Sequence, residues 1–487
     1  MSKGLFAKKS IQSLIAEATE SAHALKRTLG PLNLTAMGIG AVIGAGLFVI
    51  TGPVAASYAG PGILISFILA AIVCVFSALC YAEFASMIPI AGSAYSYAYA
   101  SLGEIAAWVM GWVLLCEYLF SPSTVASGWS GYFVSLMHDF GWDISATWAR
   151  APFSYDLVNG WETTGSILNL PAIIIVGIIG VMVALGIQTA AFVNNLLVVV
   201  KLGVIALFII CGFAFVNWDN LKPLIPENTG VFGQFGWSGI IRGAGVVFFA
   251  FIGFDAIAPL AQEAKNPQRD LPIGMLGSLG ISTIAYVLVG IVLLGAVNYT
   301  QLGAPDSFGI AVHAFGPKFV WLNYVVKIAI LAGLTTVILV MTMGMARILF
   351  IMAIDGLLPK VFSRTHAKFK TPFFSTLFVT LVMILVAGAF PVEILGQLTS
   401  MSTLLVFAIV ALGILILRAK QPNAHRPFRV PLGPTIPLLA ILTCVGSMAA
   451  IPSVTWLQLI GWMVAGLIIY AFYGARHSFV RHPHKKT

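Results

Sequence analysis

The chain has 487 residues, 59% of them hydrophobic and only 9% charged, with a mean hydropathy of +0.98 and a formal net charge of +9. Soluble domains carry about 25% charged residues, so this composition excludes a soluble enzyme or binding domain and defines a protein with many membrane spans. The positive balance would suit a nucleic-acid partner, but the placement of the charges, given below, excludes one.

Residues 1–30 are polar and amphipathic, with Ile11, Leu14 and Ile15 set against Lys8, Glu17 and Glu20. They read as a segment lying on the inner membrane surface, and no cleavable signal peptide is expected. The next stretch, Gly38-Ile-Gly-Ala-Val-Ile-Gly-Ala-Gly46, puts four glycines in nine residues inside an apolar run. Each costs a continuous helix roughly 1 kcal/mol against alanine. In lipid the freed N–H and C=O groups find no water, so such backbone survives only inside protein or along a cavity. A dinucleotide-binding glycine loop would need a preceding strand and a βαβ unit, and neither is present. Two readings remain: close helix packing through Gly40 and Gly44, or a break whose amides and carbonyls bind a ligand.

Apolar runs long enough to cross a bilayer, near the roughly 20 residues required, fall at Leu34–Ala59, Ile63–Met87, Ile105–Gly128, Ile167–Leu185, Ala190–Val216 and Ser238–Ala261. Six more follow at Ile273–Val297, Phe319–Ile354, Phe373–Phe390, Ile394–Leu417, Ile436–Ile451 and Trp456–Tyr473. Twelve spans with both ends inside put 19 of the 26 Lys and Arg residues in the N-terminal segment, the inner loops and the tail; Arg150, Lys222 and Lys318 fall in outer loops. This is the positive-inside pattern. A multi-pass cell-membrane protein with both termini cytoplasmic is expected, and the basic charge records topology.

The aromatic run after Pro89 predicts a short helix on the inner face. The third span carries Glu117, and the loop from Trp129 to Thr164 is the longest outer region. The fifth span carries Lys201 in its middle; intramembrane charge is costly and faces a cavity or a partner. The sixth span, Arg242-Gly-Ala-Gly-Val-Val-Phe-Phe-Ala-Phe-Ile-Gly-Phe-Asp255, is a second helix interrupted by glycine. If spans one to five (31–216) and six to ten (217–417) are two repeats, the broken helices occupy equivalent positions. Paired breaks of this kind point to a substrate site at the repeat interface, which favours the binding reading of the first stretch. Residues 418–487 then hold two accessory spans and a basic tail.

Several of these segments also carry a family resemblance. Gly38 to Phe48, the Tyr81-Ala-Glu-Phe-Ala…Pro…Ala-Gly-Ser-Ala-Tyr run, Phe249-Ala-Phe-Ile-Gly-Phe-Asp-Ala256, Glu263-Ala-Lys-Asn-Pro-Gln-Arg-Asp-Leu-Pro272, Asp355-Gly-Leu-Leu-Pro359 and Phe428-Arg-Val-Pro431 together resemble the amino acid–polyamine–organocation superfamily, nearest its cationic amino acid transporter family. The resemblance covers spans one to ten. It implies an all-α membrane protein of twelve helices with a LeuT-type 5+5 inverted repeat plus two accessory helices.

An α-amino acid presents a carboxylate and an ammonium. Free amides at the start of a half-helix suit the carboxylate, which makes Gly44, Ala45 and Gly46 the candidates. Unwound carbonyls of Val42, Ile43, Phe249 and Ile252 would accept from the ammonium. The resemblance places substrate contacts at the same positions. Phe249 and Phe251 are either an aromatic gate or ordinary filler. In some superfamily members a lysine on the fifth span takes the place of a sodium ion; by resemblance, Lys201 would meet carbonyls near Gly40 and the hydroxyls of Thr335 or Thr336. A lysine that alternates between charged and neutral forms would carry a proton; the alternative is a permanent charge tying helices together. Glu117 would either read a cationic side chain or take hydrogen bonds within the bundle. Asp255 would gate or cap local backbone, and Arg242, Lys327 and Arg347 would snorkel to helix ends. One departure from the family stands at Met341-Thr-Met-Gly-Met-Ala, where a cationic transporter should be more polar. A thioether from Met341, or from Met343 or Met345, shortens the pocket and favours alanine-sized substrates.

The expected function is proton-coupled symport of L-amino acids by alternating access, small neutral substrates favoured and cationic ones possible. An exchanger without ion coupling and a non-transporting sensor are the alternatives. No cofactor or metal is expected: the five cysteines lie in spans without a CxxC pair, His482 and His484 belong to a solvated tail, and no catalytic triad or metal cluster marks an enzyme. The expected partners are the substrate, protons and the lipid bilayer, with room left for a small membrane accessory subunit.

Overall fold

The structure is a computed structural model that describes residues 7–9, 29–90, 92–156, 160–185, 187–262, 264–304, 306–366 and 371–482, without the side chains of 187–195, 259, 260, 262 and 393. Most of the expected amphipathic segment, and Glu263, Lys368, Lys370, His484, Lys485 and Lys486, lie outside these residues.

Eight stretches are long and apolar enough to cross a membrane, and three shorter apolar helices accompany them. The first stretch opens with α1 (Pro31–Val42), started by proline and broken at Ile43 and Gly44. Its continuation is wound loosely, through the turns Gly46–Ile50, Thr51–Val54 and Ala55–Ala59. The Phe48 carbonyl accepts from the Tyr132 hydroxyl at 2.5 Å. A Gly60-Pro61-Gly62 turn, with Gly60 at φ +56°, reverses the chain into α2 (Ile63–Met87).

The short helix expected after Pro89 is α3 (Ser93–Ser101). α4 (Glu104–Asp139) passes through Pro122 and runs eleven residues beyond the expected end of the third span at Gly128. The extension has its own packing: Trp129 stacks on Phe133 at 4.9 Å, and Ser130 and Tyr132 are fully buried. The loop that follows holds a small antiparallel hairpin, β1 (Phe153–Asp156) against β2 (Gly160–Thr163), so the described chain is not wholly helical as expected.

α5 (Leu170–Leu185) and α6 (Ile187–Phe213) precede the second broken element. In that element α7 (Gly236–Val247) tightens through Phe248–Phe251, turns at Ile252 and Gly253, and resumes as Phe254–Gln262. Gly253 has φ +119°, a conformation side chains avoid. α8 (Pro267–Ala296) follows, then α9 (Ser307–Ala314), capped by Asp306, and α10 (Val320–Ile354). α11 (Phe373–Ala389), α12 (Val392–Lys420), α13 (Thr435–Ala449) and α14 (Ser453–Ile469) complete the bundle.

Packing is inverted relative to a soluble protein. Ile174, Ile178, Val181 and Leu185 line one exposed stripe of α5 at helical spacing, whereas Glu83, Glu104, Glu117, Lys201, Asp255 and Lys327 are at most 2% exposed. An exposed apolar stripe on a helix this hydrophobic is a surface for acyl chains. α4 packs on α10 and α12, and α8 packs on α1 and α2.

The buried charges at the two faces are paired. On the face carrying the termini, Arg418 grips Glu83 with two nitrogens while Arg426 Nε lies 3.3 Å away. Glu104 on the same face gathers the hydroxyls of Tyr99, Tyr470 and Ser478, with Arg481 at 3.5 Å, and its amide donates to the Ala7 carbonyl. On the opposite face Lys327 does not snorkel. It is 2% exposed, bonded to Asp139 at 2.6 Å and Asp306 at 3.0 Å, so it joins α10, α4 and the cap of α9.

Candidate functional site

The two breaks meet in the middle of the bundle, backbone against backbone. A Cβ on Gly46 would fall 2.1 Å from the Ala250 Cα, and one on Gly253 would fall 2.8 Å from the Ala41 carbonyl oxygen. Gly40 and Gly44 receive side chains instead: a Cβ there would meet Val198 at 2.6 Å and Val337 at 3.0 Å. Close packing and an exposed break, set as rivals by the sequence, therefore coexist in one stretch.

The break frees the polar groups that the sequence assigned. Gly44, Ala45 and Gly46 begin a new helical segment, where N–H groups have no carbonyl one turn behind them. The Gly44 carbonyl accepts from Leu47 and Phe48, both at 3.2 Å. Of the four carbonyls expected to receive an ammonium, three already take a hydrogen bond. Ile43 accepts from Lys201, Val42 from Tyr286 at 3.1 Å, and Phe249 from the Ile252 amide at 3.3 Å. Each keeps a second lone pair.

Lys201 is 1% exposed, and its Nζ donates to the carbonyls of Gly40 and Ile43, both at 2.6 Å. The expected hydroxyls are not its partners. Thr335 donates to Leu331 and Thr336 to Gly333, each turned back onto its own helix as buried threonines do when no better acceptor is in reach. Gly333 of α10 lies against it, since a Cβ there would meet Lys201 Cδ at 2.7 Å.

The other expected site residues are buried side chains, and the two phenylalanines flank Ala250 at this junction. Phe251 is fully buried, edge-on to Tyr286 and Phe67 at 5.1 and 6.4 Å, and Phe249 is 4% exposed. Met341 is 1% exposed within α10. Glu117 is fully buried on α4 with Asp255 as the charge acting on it. A cavity of about 160 Å³ opens farther along, between the second half of the first broken helix, α7 and α12. Val49, Val54, Tyr58, Val246, Gly396 and Gln397 line it, and none of the expected contact residues does.

Sequence reasoning missed Tyr286, whose hydroxyl lies 2.5 Å from the Ala250 carbonyl and 3.1 Å from that of Val42, touching both breaks at once. The signal was present: a lone phenol in an apolar 30-residue helix must find a polar partner. Among the described residues no group of three His, Cys, Asp or Glu could hold a metal.

A many-helix membrane bundle with two facing helix breaks, one held by a buried lysine, is the architecture of a permease. Comparison with known sequences gives the family. The amino acid permease family model matches residues 29–475, and the chain belongs to that family, within the amino acid–polyamine–organocation superfamily and near the cationic amino acid transporters. It is 40% identical over 476 residues to the methylthioribose transporter of Bacillus subtilis, covering 98% of this chain and 99% of that one. It is 40% identical over 479 residues to the branched-chain amino acid permease BcaP of the same organism, with the same coverage. Mouse cationic amino acid transporter 4 is 34% identical over 423 residues, covering 86% of this chain and 64% of the transporter. These relatives are transporters and permeases, and the chain is a multi-pass membrane protein of that kind rather than an enzyme.

Proposed function

We propose that this permease takes up small neutral L-amino acids together with protons, by alternating access about the two breaks. The substrate carboxylate sits on the amides of Gly44, Ala45 and Gly46, and its ammonium on the remaining lone pairs of Val42, Ile43, Phe249 and Ile252. The contact between Lys201 and the break is the observation that carries the reading. A lysine in this position holds two carbonyls that flank the break, and hydrogen bonds from a charged donor contribute roughly 1.5–3 kcal/mol each. Loss of its proton weakens that hold and frees the first half-helix to move, which couples protonation to opening.

The first stretch, Pro31–Met87, contains two helices, so the eight long stretches and three shorter helices amount to twelve, a number that supports the reading of a 5+5 repeat plus two. The basic residues gathered on the face of the termini support a cytoplasmic location for both ends. The printed names of the relatives widen the substrates to be tried, since one takes methylthioribose and another branched-chain amino acids.

The test is uptake of labelled alanine into proteoliposomes with an acidic exterior and no sodium, with valine, methylthioribose and arginine as competitors. Accumulation that collapses with the pH gradient, and is lost in Lys201→Ala, is the expected result. Uptake that ignores the gradient but needs preloaded amino acid would make the protein an exchanger and Lys201 a structural tie. Uptake blocked by methylthioribose but by no amino acid would move the substrate to the thiosugar class.

A further inference from the structure

Lys201 is not the only titratable group buried in the bundle, and the coupling reading leaves two others unused. Glu117 on α4 and Asp255, just past the second break, are 0% and 1% exposed; Asp255 acts on Glu117 as a like charge, and both act on the Tyr81 hydroxyl. Neither takes part in an ion pair among the described residues. Both oxygens of Glu117 lack a hydrogen-bond partner. Thr403 of α12 is the polar group beside it, but its hydroxyl donates to the Thr399 carbonyl at 3.0 Å. Asp255 is better served: its carboxyl lies over the amides of Gly253, Asp255 and Ala256, and the Tyr118 hydroxyl donates to Oδ2 at a long 3.5 Å, while Oδ1 has no bond of good geometry.

A second observation points into the same space. The Tyr81 hydroxyl on α2 is fully buried and unpartnered, and both carboxyls act on it. The other titratable groups facing the cluster among the described residues are Tyr118 and Cys116 from α4, Tyr97 from α3, and Cys74 from α2. All of these are neutral in their ordinary protonation state, and among the described residues no cation acts on Glu117 or Asp255. Two carboxylates buried side by side without a cation cannot both be ionised, because the charge of the second would be neither solvated nor compensated.

We propose that Glu117 and Asp255 form a second proton-binding site, in which Glu117 holds the proton and Asp255, beside the backbone amides and the Tyr118 hydroxyl, is the ionised member. The pair lies where α4, α2 and the half-helix Phe254–Gln262 meet. A proton there neutralises the contact between the second broken helix and α4, and its loss drives them apart or draws the Tyr81 hydroxyl in as a donor. The link to transport rests on the permease reading above; occupancy of the site by a proton does not.

The experiment is infrared difference spectroscopy of the full-length protein in lipid, titrated through neutral pH in H2O and D2O. The expected result is a carbonyl band of a protonated carboxylic acid that shifts in D2O, disappears in Glu117→Gln and persists in Asp255→Asn. A wild-type spectrum without such a band, or a band that survives Glu117→Gln unchanged, overturns the proposal. Loss in Asp255→Asn with survival in Glu117→Gln overturns the assignment by placing the proton on Asp255. Lys201→Ala, measured alongside, should lose gradient-driven uptake yet keep the band, so failure of the coupling reading and failure of the carboxyl site give different results.

Discussion

Gly46 lies against Ala250 so closely that a methyl group on the glycine would sit 2.1 Å from the alanine's Cα. The neighbour is backbone, which cannot rotate away. Gly46→Ala must therefore separate the two broken helices, and overpacking of this kind costs about 1–3 kcal/mol. Thermal unfolding in lipid should register the loss, and amino acid uptake should fall with it. Gly280→Ala is the control, since nothing lies within 4 Å of the position. It should leave uptake unchanged and stability equal or slightly higher.

Tyr286 offers one proton to two carbonyls, Val42 and Ala250. Tyr286→Phe keeps the ring contacts with Phe67 and Phe251 but leaves both carbonyls without that donor. A buried acceptor stripped of its partner costs about 1–3 kcal/mol. The variant should fold, lose stability on that scale and transport more slowly, which paired uptake and unfolding measurements would separate. A wild-type uptake rate in the variant would reduce the hydroxyl to a packing detail.

Lys327 balances two carboxylates, Asp139 and Asp306. Removing one partner of a buried pair is strongly destabilising, about 3–5 kcal/mol. Lys327→Met strands two anions, whereas Asp139→Asn leaves Lys327 with Asp306. The expected order of thermal stability is wild type, then Asp139→Asn, then Lys327→Met.

Substrate size is tested at Met341. Met341→Ser exchanges a buried thioether for a short hydroxyl and should let arginine compete with labelled alanine. Unchanged exclusion of arginine would show that another residue limits the pocket, and the buried position of Met341 within α10 makes Met343 and Met345 the next to replace.

The architecture was readable because lipid imposes blunt rules. Apolar runs near 20 residues marked the helices, and clustered glycines inside two of them marked the breaks. Lys201 stood out because mid-span charge is rare, and its contact with Gly40 agrees with the resemblance. What escaped was set by three-dimensional pairing. The extension of α4 to Asp139 depends on where Trp129 and Tyr132 pack, and a polar-looking loop concealed it. Lys327 read as a snorkelling end because its partners are 188 and 21 residues away in the chain. Thr335 and Thr336 were given to Lys201 by family analogy, yet helix geometry lets a threonine satisfy itself on its own turn. The hairpin of β1 and β2 has only four residues to a strand, too few to rise above the surrounding loop.

The carboxylate of Glu104 has an implication for biosynthesis. Its partners Ser478 and Arg481 are separated from it by more than 370 residues. At about 5–20 residues per second, a ribosome needs roughly 20–75 s to supply them after Glu104 has emerged. Throughout that interval Tyr99 is, among the described residues, the one of its side-chain partners already synthesised. The clasp between Glu104 and residues 470–481 is thus a late joint to close, and truncations that remove it should be seen first as immature protein at the translocon rather than as a change in transport.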